Sequence, residues 1–228
     1  MRVVQRRQAR DARVAERALS MVAELLADQS VALSQVDAFA FGCGPGSFTG
    51  LRVACALVQG LAFAGDRPVV PVGSLRALAY GARRHVLGED LSDSPLRVLA
   101  AIDARMGQVY WAVYEGERGH ALAEPALAAP EQMAEWVEQW RPQVVAGDAL
   151  RVFAGAWVTP ERMMRLPAVA VEASMIAELA RTDLAAGRAV AARDAAPDYV
   201  RDQVALTTEQ RARGKAAHRE LGRKGPVS

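Results

Sequence analysis

Val36-Asp37-Ala38-Phe39-Ala40-Phe41-Gly42-Cys43-Gly44-Pro45-Gly46-Ser47-Phe48-Thr49-Gly50-Leu51 is the stretch from which the fold is read. Val36 to Phe41 is a short apolar run with the length of a buried strand. Gly42, Gly44, Gly46 and Gly50 then allow positive φ and close backbone approach, and Pro45 stiffens the turn. From Leu51 to Ala64 the only charged residue is Arg52, so the segment reads as a buried helix capped by Ser47 or Thr49. Strand, glycine turn and helix follow one another. A helix start of this kind presents free N–H groups that can hold an anion. It is not a phosphate loop of the GxxxxGK[ST] type, because no Lys-Ser/Thr follows the glycines. Nor is it GxGxxG, because Ser stands at 47. Packing and anion binding both stay open for this turn.

Outward from that unit, helical and strand patterns alternate. Val14, Ala18, Leu19, Val22, Leu25 and Leu26 recur at helical spacing within Asp11 to Ala27. Gly65-Asp66-Arg67-Pro68 stops the second helix. Val69 to Val72 is a short strand, and Ser74 is placed to cap a third helix from Leu75 to about Arg84. His85 to Leu96, rich in Gly, Ser, Asp and Pro, is the best linker. Arg97 to Asp103 and Gln108 to Tyr114 form a hairpin around a turn at 103–107. Glu131 to Trp140 is a helix, Gln143 to Asp148 a strand and turn, Met163 to Leu166 a short strand, and Ala173 to Leu184 a helix. Strands alternating with helices in both halves indicate α/β architecture. The expected division is 1–96, 97–206 and a tail, 207–228.

The 228 residues are 51% hydrophobic with a formal net charge of +2, enough apolar content for a substantial core. No apolar run is long enough to span a membrane, and the basic start lacks the apolar core of a signal peptide. Cys43 and Cys55 form no CxxC and imply no disulfide framework, which fits a reducing cytoplasm and two small core residues. The positive charge is uneven. Residues 209–228 carry six basic side chains against Glu209 and Glu220, so the rest of the chain is slightly acidic. The body is therefore not a basic nucleic-acid surface. The glycine-containing tail reads as disordered and solvated, with weak electrostatic contact to RNA as the sharper alternative.

The residues for chemistry are sparse. His85, His120 and His218 stand far apart, and no HxxxH or HExxH pattern exists for a metal. Ser47, Ser74 and Ser174 lack a GxSxG context. Cys43 lies near a helix start, which can lower a thiol pKa, but no histidine is near it in sequence. Asp37, Asp103 and Asp148 stand at strand ends, where carboxylates are common in inactive folds too. Tyr110 and Trp111 can stack a base, and equally belong to a hairpin core. No catalytic residue and no metal ligand is assigned.

Three blocks carry a resemblance. Gly44-Pro45-Gly46-Ser47-Phe48-Thr49-Gly50-Leu51-Arg52, Ala101-Ile102-Asp103-Ala104-Arg105-Met106-Gly107-Gln108-Val109-Tyr110-Trp111, and Ala196-Pro197-Asp198-Tyr199-Val200-Arg201 resemble, in this order, the signatures of the bacterial TsaB (YeaZ-like) family. That family is the dimerisation subunit of the tRNA threonylcarbamoyladenosine machinery. The resemblance implies an actin/Hsp70-like (ASKHA) fold of two α/β lobes. It also implies motif positions at Gly44, Pro45, Gly46, Ser47, Phe48, Thr49, Gly50, Arg52, Asp103, Arg105, Tyr110, Pro197, Tyr199 and Arg201. The family's opening strand–turn–strand with its Asp-Thr turn is not found here. Either a start codon farther upstream or a first lobe without its two opening strands is therefore expected.

The resemblance also implies a function. It is that of a non-catalytic subunit supporting a homologous TsaD-like catalytic subunit, with a TsaE-like ATPase reached through the complex. Alone, the chain is expected to form a homodimer. Contact with tRNA is expected to be indirect, ATP and metal to sit on the catalytic partner rather than on this subunit, and the location to be cytoplasmic. The hairpin turn would be the second phosphate turn of a catalytic relative, but Arg105 and Met106 stand where close approach wants glycine. The competing readings are an ATP-dependent transferase or sugar-kinase-like enzyme of the same fold, and a metallopeptidase. The helix after the glycine turn is apolar or small nearly all round, so it must be covered on every face, either by its sheet and a partner or wholly inside its own domain. Interface positions are expected at Val14, Ala18, Val22 and Leu25 on the first helix and at Leu51, Cys55, Val58 and Ala62 on the second.

Overall fold

The structure, a computed structural model, describes residues 3–7, 14–88, 95–156, 160 and 162–201, with side chains from Arg17 onward in the first helix. The expected tail at 207–228 lies outside these residues.

Strand β1 (Phe39–Gly44) runs parallel to β2 (Val69–Gly73), and the connection between them is helix α2 (Phe48–Phe63). Parallel neighbours need such a crossover. The strand begins three residues later than its apolar run and takes in the first glycines. Helix α2 lays Leu51, Cys55, Val58 and Ala62 on the sheet, at spacings of four, three and four. There Cys55, Val58 and Ala62 meet Phe41, Cys43, Val69 and Ala195. Of the two expected caps, Ser47 and Thr49, it is Ser47 that caps α2, its hydroxyl accepting from the Gly50 amide at 3.4 Å.

Helix α3 (Ser74–Leu87) starts directly from β2. Its N-cap is Gly73, without a side-chain bond, and Ser74 is buried inside the first turn. The expected Ser74 cap is thus corrected: β2 runs into the helix with no loop for a cap to close. Helix α3 continues to Leu87 and ends at Gly88, whose φ of 73° suits a glycine terminator. The expected linker therefore begins inside this helix, and residues 89–94 of it lie outside the described residues.

The second sheet has the order β5-β4-β3-β6-β7. Its strands are β3 (Arg97–Arg105), β4 (Gln108–Glu115), β5 (His120–Ala128), β6 (Val144–Ala146) and β7 (Met164–Leu166). Alternation along β3 sends Val98 and Ala100 toward α3, and Leu99 and Ala101 toward the opposite core. That opposite core holds residues of α4 (Met133–Trp140) and α5 (Ala149–Val152), with Trp111 stacked on Trp136 at 3.7 Å. Strand β5 was not visible in the sequence. It is alanine-rich and contains Pro125, which an edge strand tolerates.

Helix α6 (Ala173–Ala185) returns to the first sheet, setting Ile176, Leu179 and Ala180 against Val70, Val72 and Ala77. Beyond it, Val190 exchanges two backbone hydrogen bonds with Val69, at 2.8 and 2.9 Å. The layers run α2, the β1–β2 sheet, α3 with α6, the five-stranded sheet, then α4 with α5.

Helix α1 (Val14–Asp28) stands apart from these layers. No side chain described in it is buried, and Leu19 is exposed. Arg6 pairs with Glu24 at 2.6 Å and with Asp28, while Gln5 accepts from the Ser174 amide at 3.0 Å. Residues 5–6 therefore bridge α1 and the start of α6. Among the described residues no helix is long and apolar enough to cross a membrane.

Candidate functional site

The three sequence blocks, far apart in the chain, meet at one surface. The link is the C-terminal segment 195–201. Its Asp198 amide donates to the Cys43 carbonyl at 2.7 Å, closing the segment over the end of β1. Gly44, at φ 135°, sits beneath it, and a Cβ there would come within 2.4 Å of the Asp198 carbonyl oxygen. Only glycine fits. The Gly44–Pro45 peptide is cis, and Pro45 is buried. Gly46, Ser47, Thr49 and Gly50 complete the turn and the first helical residues at or near the surface.

Tyr199 reaches the first lobe. Its hydroxyl accepts from Arg52 Nε at 2.9 Å, and its ring lies 5.5 Å from that of Phe48. The Arg52 guanidinium sits over the Phe48 ring, 3.8 Å from its centroid. Phe48, Arg52 and Tyr199 are all exposed. Pro197 is half-buried at the start of this segment.

Arg201 reaches the second lobe. It donates to Gln108 Oε1 at 2.8 Å and to the Ala104 carbonyl at 3.2 Å, touches Met106 Sδ, and lies 5.9 Å from the Tyr110 ring centroid. Tyr199 and Arg201, two residues apart, thus tie α2 to the β3–β4 turn. Tyr110 and Trp111 are buried, so the core reading of these aromatics holds.

The β3–β4 turn is closed from within. Arg105, Met106 and Gly107 all have positive φ. Asp103 Oδ1 accepts from the Arg105 amide at 2.8 Å, its Oδ2 pairs with Arg105 Nη1 at 3.1 Å, and the Asp103 amide donates to Asp148 Oδ1 at 3.0 Å. A phosphate at this turn would want those amides free. Instead two carboxylates occupy them, and a carboxylate repels an anion.

Cys43 and Cys55 are free and buried. Burial, followed by the nearby Asp198 charge, pushes the Cys43 thiol up to about 11, the reverse of an activated nucleophile. Cys55 Sγ donates to the Ala195 carbonyl at 3.3 Å and is likewise raised by burial. His85 lies on α3 and His120 opens β5, while His218 is outside the described residues. Among the described residues no three His, Cys, Asp or Glu side chains come together.

The expected interface positions divide. Ala18, Val22 and Leu25 are half-buried on α1, and the Val14 side chain lies outside the described residues. Leu51, Cys55, Val58 and Ala62 are buried on the sheet side of α2, so this chain itself covers them. Their assignment to a partner is corrected: periodicity locates the apolar stripes of such a helix but not which stripe meets its own sheet. The outward stripe is Phe48, Arg52, Ala56, Gly60 and Phe63, with Phe63 80% exposed. A Cβ added at Gly60 would meet nothing within 4 Å. Leu19, Val31 and Leu33 add exposed apolar surface in the same half of the chain.

Residues 10–213 match the family model described as TsaD, tRNA N6-adenosine threonylcarbamoyltransferase. The chain is 35% identical over 204 residues to the tRNA threonylcarbamoyladenosine biosynthesis protein TsaB of Escherichia coli K12, covering 83% of this chain and 81% of that one. It is also 35% identical over 197 residues to the Haemophilus influenzae TsaB, covering 83% and 80%. Among solved structures it resembles YeaZ from Pseudomonas aeruginosa with a TM-score of 0.70 at 40% identity, over 81% of this chain and 83% of that one. A second Pseudomonas aeruginosa structure, described as similar to peptidase YEAZ, matches with a TM-score of 0.70 at 39% identity, over 82% and 84%.

Proposed function

The chain belongs to the TsaB family and shares its actin/Hsp70-like fold, and from that premise we propose that it is the non-catalytic subunit that docks on a TsaD-like catalytic homologue. Its part is in tRNA threonylcarbamoyladenosine biosynthesis, the process for which its relatives are named. The observation that carries the docking reading is the bare outward stripe of α2, together with an α1 in which no described side chain is buried. Ala56 and Gly60 let a second helix approach closely, and the exposed Phe63 ends the stripe.

The chain acts as two lobes, 1–96 and 97–206, with α6 crossing back to the first. ATP and metal belong to the catalytic partner, a TsaE-like ATPase joins through the complex, and tRNA is met only through it. With the partner absent, the same stripe pairs two copies of this chain. The location is the cytoplasm. The occupied amides of the β3–β4 turn support a non-catalytic role over the transferase reading.

The test is titration of the catalytic homologue with wild type, Ala56→Asp and Val22→Asp. A lone carboxylate buried against a partner costs several kcal/mol. Affinity should fall about 100-fold or more, while the melting curve of the free subunit stays in place. Unchanged affinity for both variants would sink the reading. So would micromolar ATP binding by the isolated chain, which belongs to the transferase alternative.

A further inference from the structure

The arginines of the motif cluster are not equivalent. Arg201 spends its guanidinium on Ala104, Gln108 and Met106, and Arg105 turns back on Asp103. Arg52 uses only Nε, on Tyr199, and among the described residues its two terminal nitrogens have no hydrogen-bond partner. Stacking on Phe48 and the bond that Arg52 Nε donates to Tyr199 fix the plane of the guanidinium. What remains is an exposed, oriented pair of N–H donors, the geometry that takes a carboxylate or phosphate by two parallel hydrogen bonds.

The surroundings choose between the two anions. Arg52 is the only charged residue of α2. It stands on the same outward stripe as Ala56, Gly60 and Phe63, one and two turns before the small residues where a partner helix would lie. A nucleic-acid backbone is held by several unpaired cations; here Arg52 stands at one end of the face, and Arg193, which lines the far end with Gly60 and Phe63, already faces the Asp194 carboxylate at 3.7 Å. We propose that Arg52 is a specificity anchor of the docking surface. It receives the carboxylate of an Asp or Glu side chain on the catalytic homologue, with Tyr199 and Phe48 as its positioning residues. The inference rests on the docking reading above and names the chemistry of its polar end.

The experiment compares binding of wild type, Arg52→Gln, Arg52→Lys, Tyr199→Phe and Ala56→Asp to the purified catalytic homologue at low and at high sodium chloride, with thermal melts of each variant. Arg52→Gln should weaken binding about tenfold or more. Its deficit should shrink at high salt, where the ion pair is screened. Arg52→Lys, which keeps the charge but not the fork, should recover only part of the affinity. Tyr199→Phe should show a smaller loss of the same salt-sensitive kind. If Ala56→Asp abolishes binding while both Arg52 variants bind like wild type, the anchor is wrong and the docking reading stands. If neither site matters, the docking reading fails and the anchor with it. If Arg52→Gln leaves the protein complex intact but lowers tRNA retention by the assembled complex, the anion is an RNA phosphate and the proposal is overturned. Should Arg52→Gln lower the melting point, the Lys and Tyr199→Phe variants decide. Wild-type affinity in both overturns it.

Discussion

The missing Cβ of Gly44 and the carboxyl of Asp183 each fix a contact between distant parts of the chain. At Gly44 any other residue would meet the Asp198 carbonyl and a φ of 135°. Gly44→Ala should therefore lower stability by about 2 kcal/mol or more and loosen the 195–201 segment. Urea unfolding would read the first effect, and faster exchange of the Asp198 amide the second. A wild-type midpoint would show that the segment shifts without cost. Asp183, 3% exposed, lies between Arg76 Nη1 at 2.6 Å and Arg188 Nε at 3.1 Å. Burial alone would raise its carboxyl, but hydrogen bonds from Arg76 and Arg188 outweigh that and hold it below the usual carboxylate range. A depressed folded pKa gives stability that is present above the unfolded value of about 3.9 and is lost as pH falls through the folded one. Asp183→Asn should cost about 3 kcal/mol at neutral pH, and its gap from wild type should close in acid below about pH 4. Melts across that range check it, and a gap independent of pH would mean that packing, not charge, is lost.

Helix α2 shows how much of an element the sequence discloses. Its position, its Ser47 cap and its surplus of apolar surface are legible from residues 47–64. Which stripe faces inward is not, because Val58 and Leu57 read alike until β1 and Ala195 are in place. The structure puts Val58 in the core at 7% exposure and leaves Ala56 outside. Val58→Asp should therefore unfold the first lobe, at a cost of several kcal/mol, whereas Ala56→Asp should leave the melt unchanged. Circular dichroism melts of the two variants test the assignment, and the opposite ranking would reverse the face. Other elements were illegible for different reasons. Alanines and Pro125 hide β5, whose strand character comes from pairing with β4. Ser74 has the chemistry of a cap but no loop before it. The Arg52–Tyr199 bond joins residues 147 positions apart, and no local pattern announces it. The three motif blocks could be quoted from the sequence, but their meeting at one surface follows only from the fold.

For the whole molecule, the surfaces are unequal. Both faces of the second lobe's sheet are covered, by α3 of the first lobe on one side and by α4 and α5 on the other. The first lobe has no buried side chain among those described in α1, and it leaves one face of α2 bare from Phe48 to Phe63. We propose that a helix-bearing surface of the catalytic homologue covers both. Hydrogen exchange of α1 measures this most directly. With no buried side chain described, α1 of the free chain should exchange quickly. On adding the catalytic homologue at saturating concentration, its amides and those of the Ala56–Phe63 stretch should become protected, while β3, β4 and β5 stay as they were. Protection that instead appears along the β5 edge, with α1 exchanging at its free rate in the complex, would contradict the account.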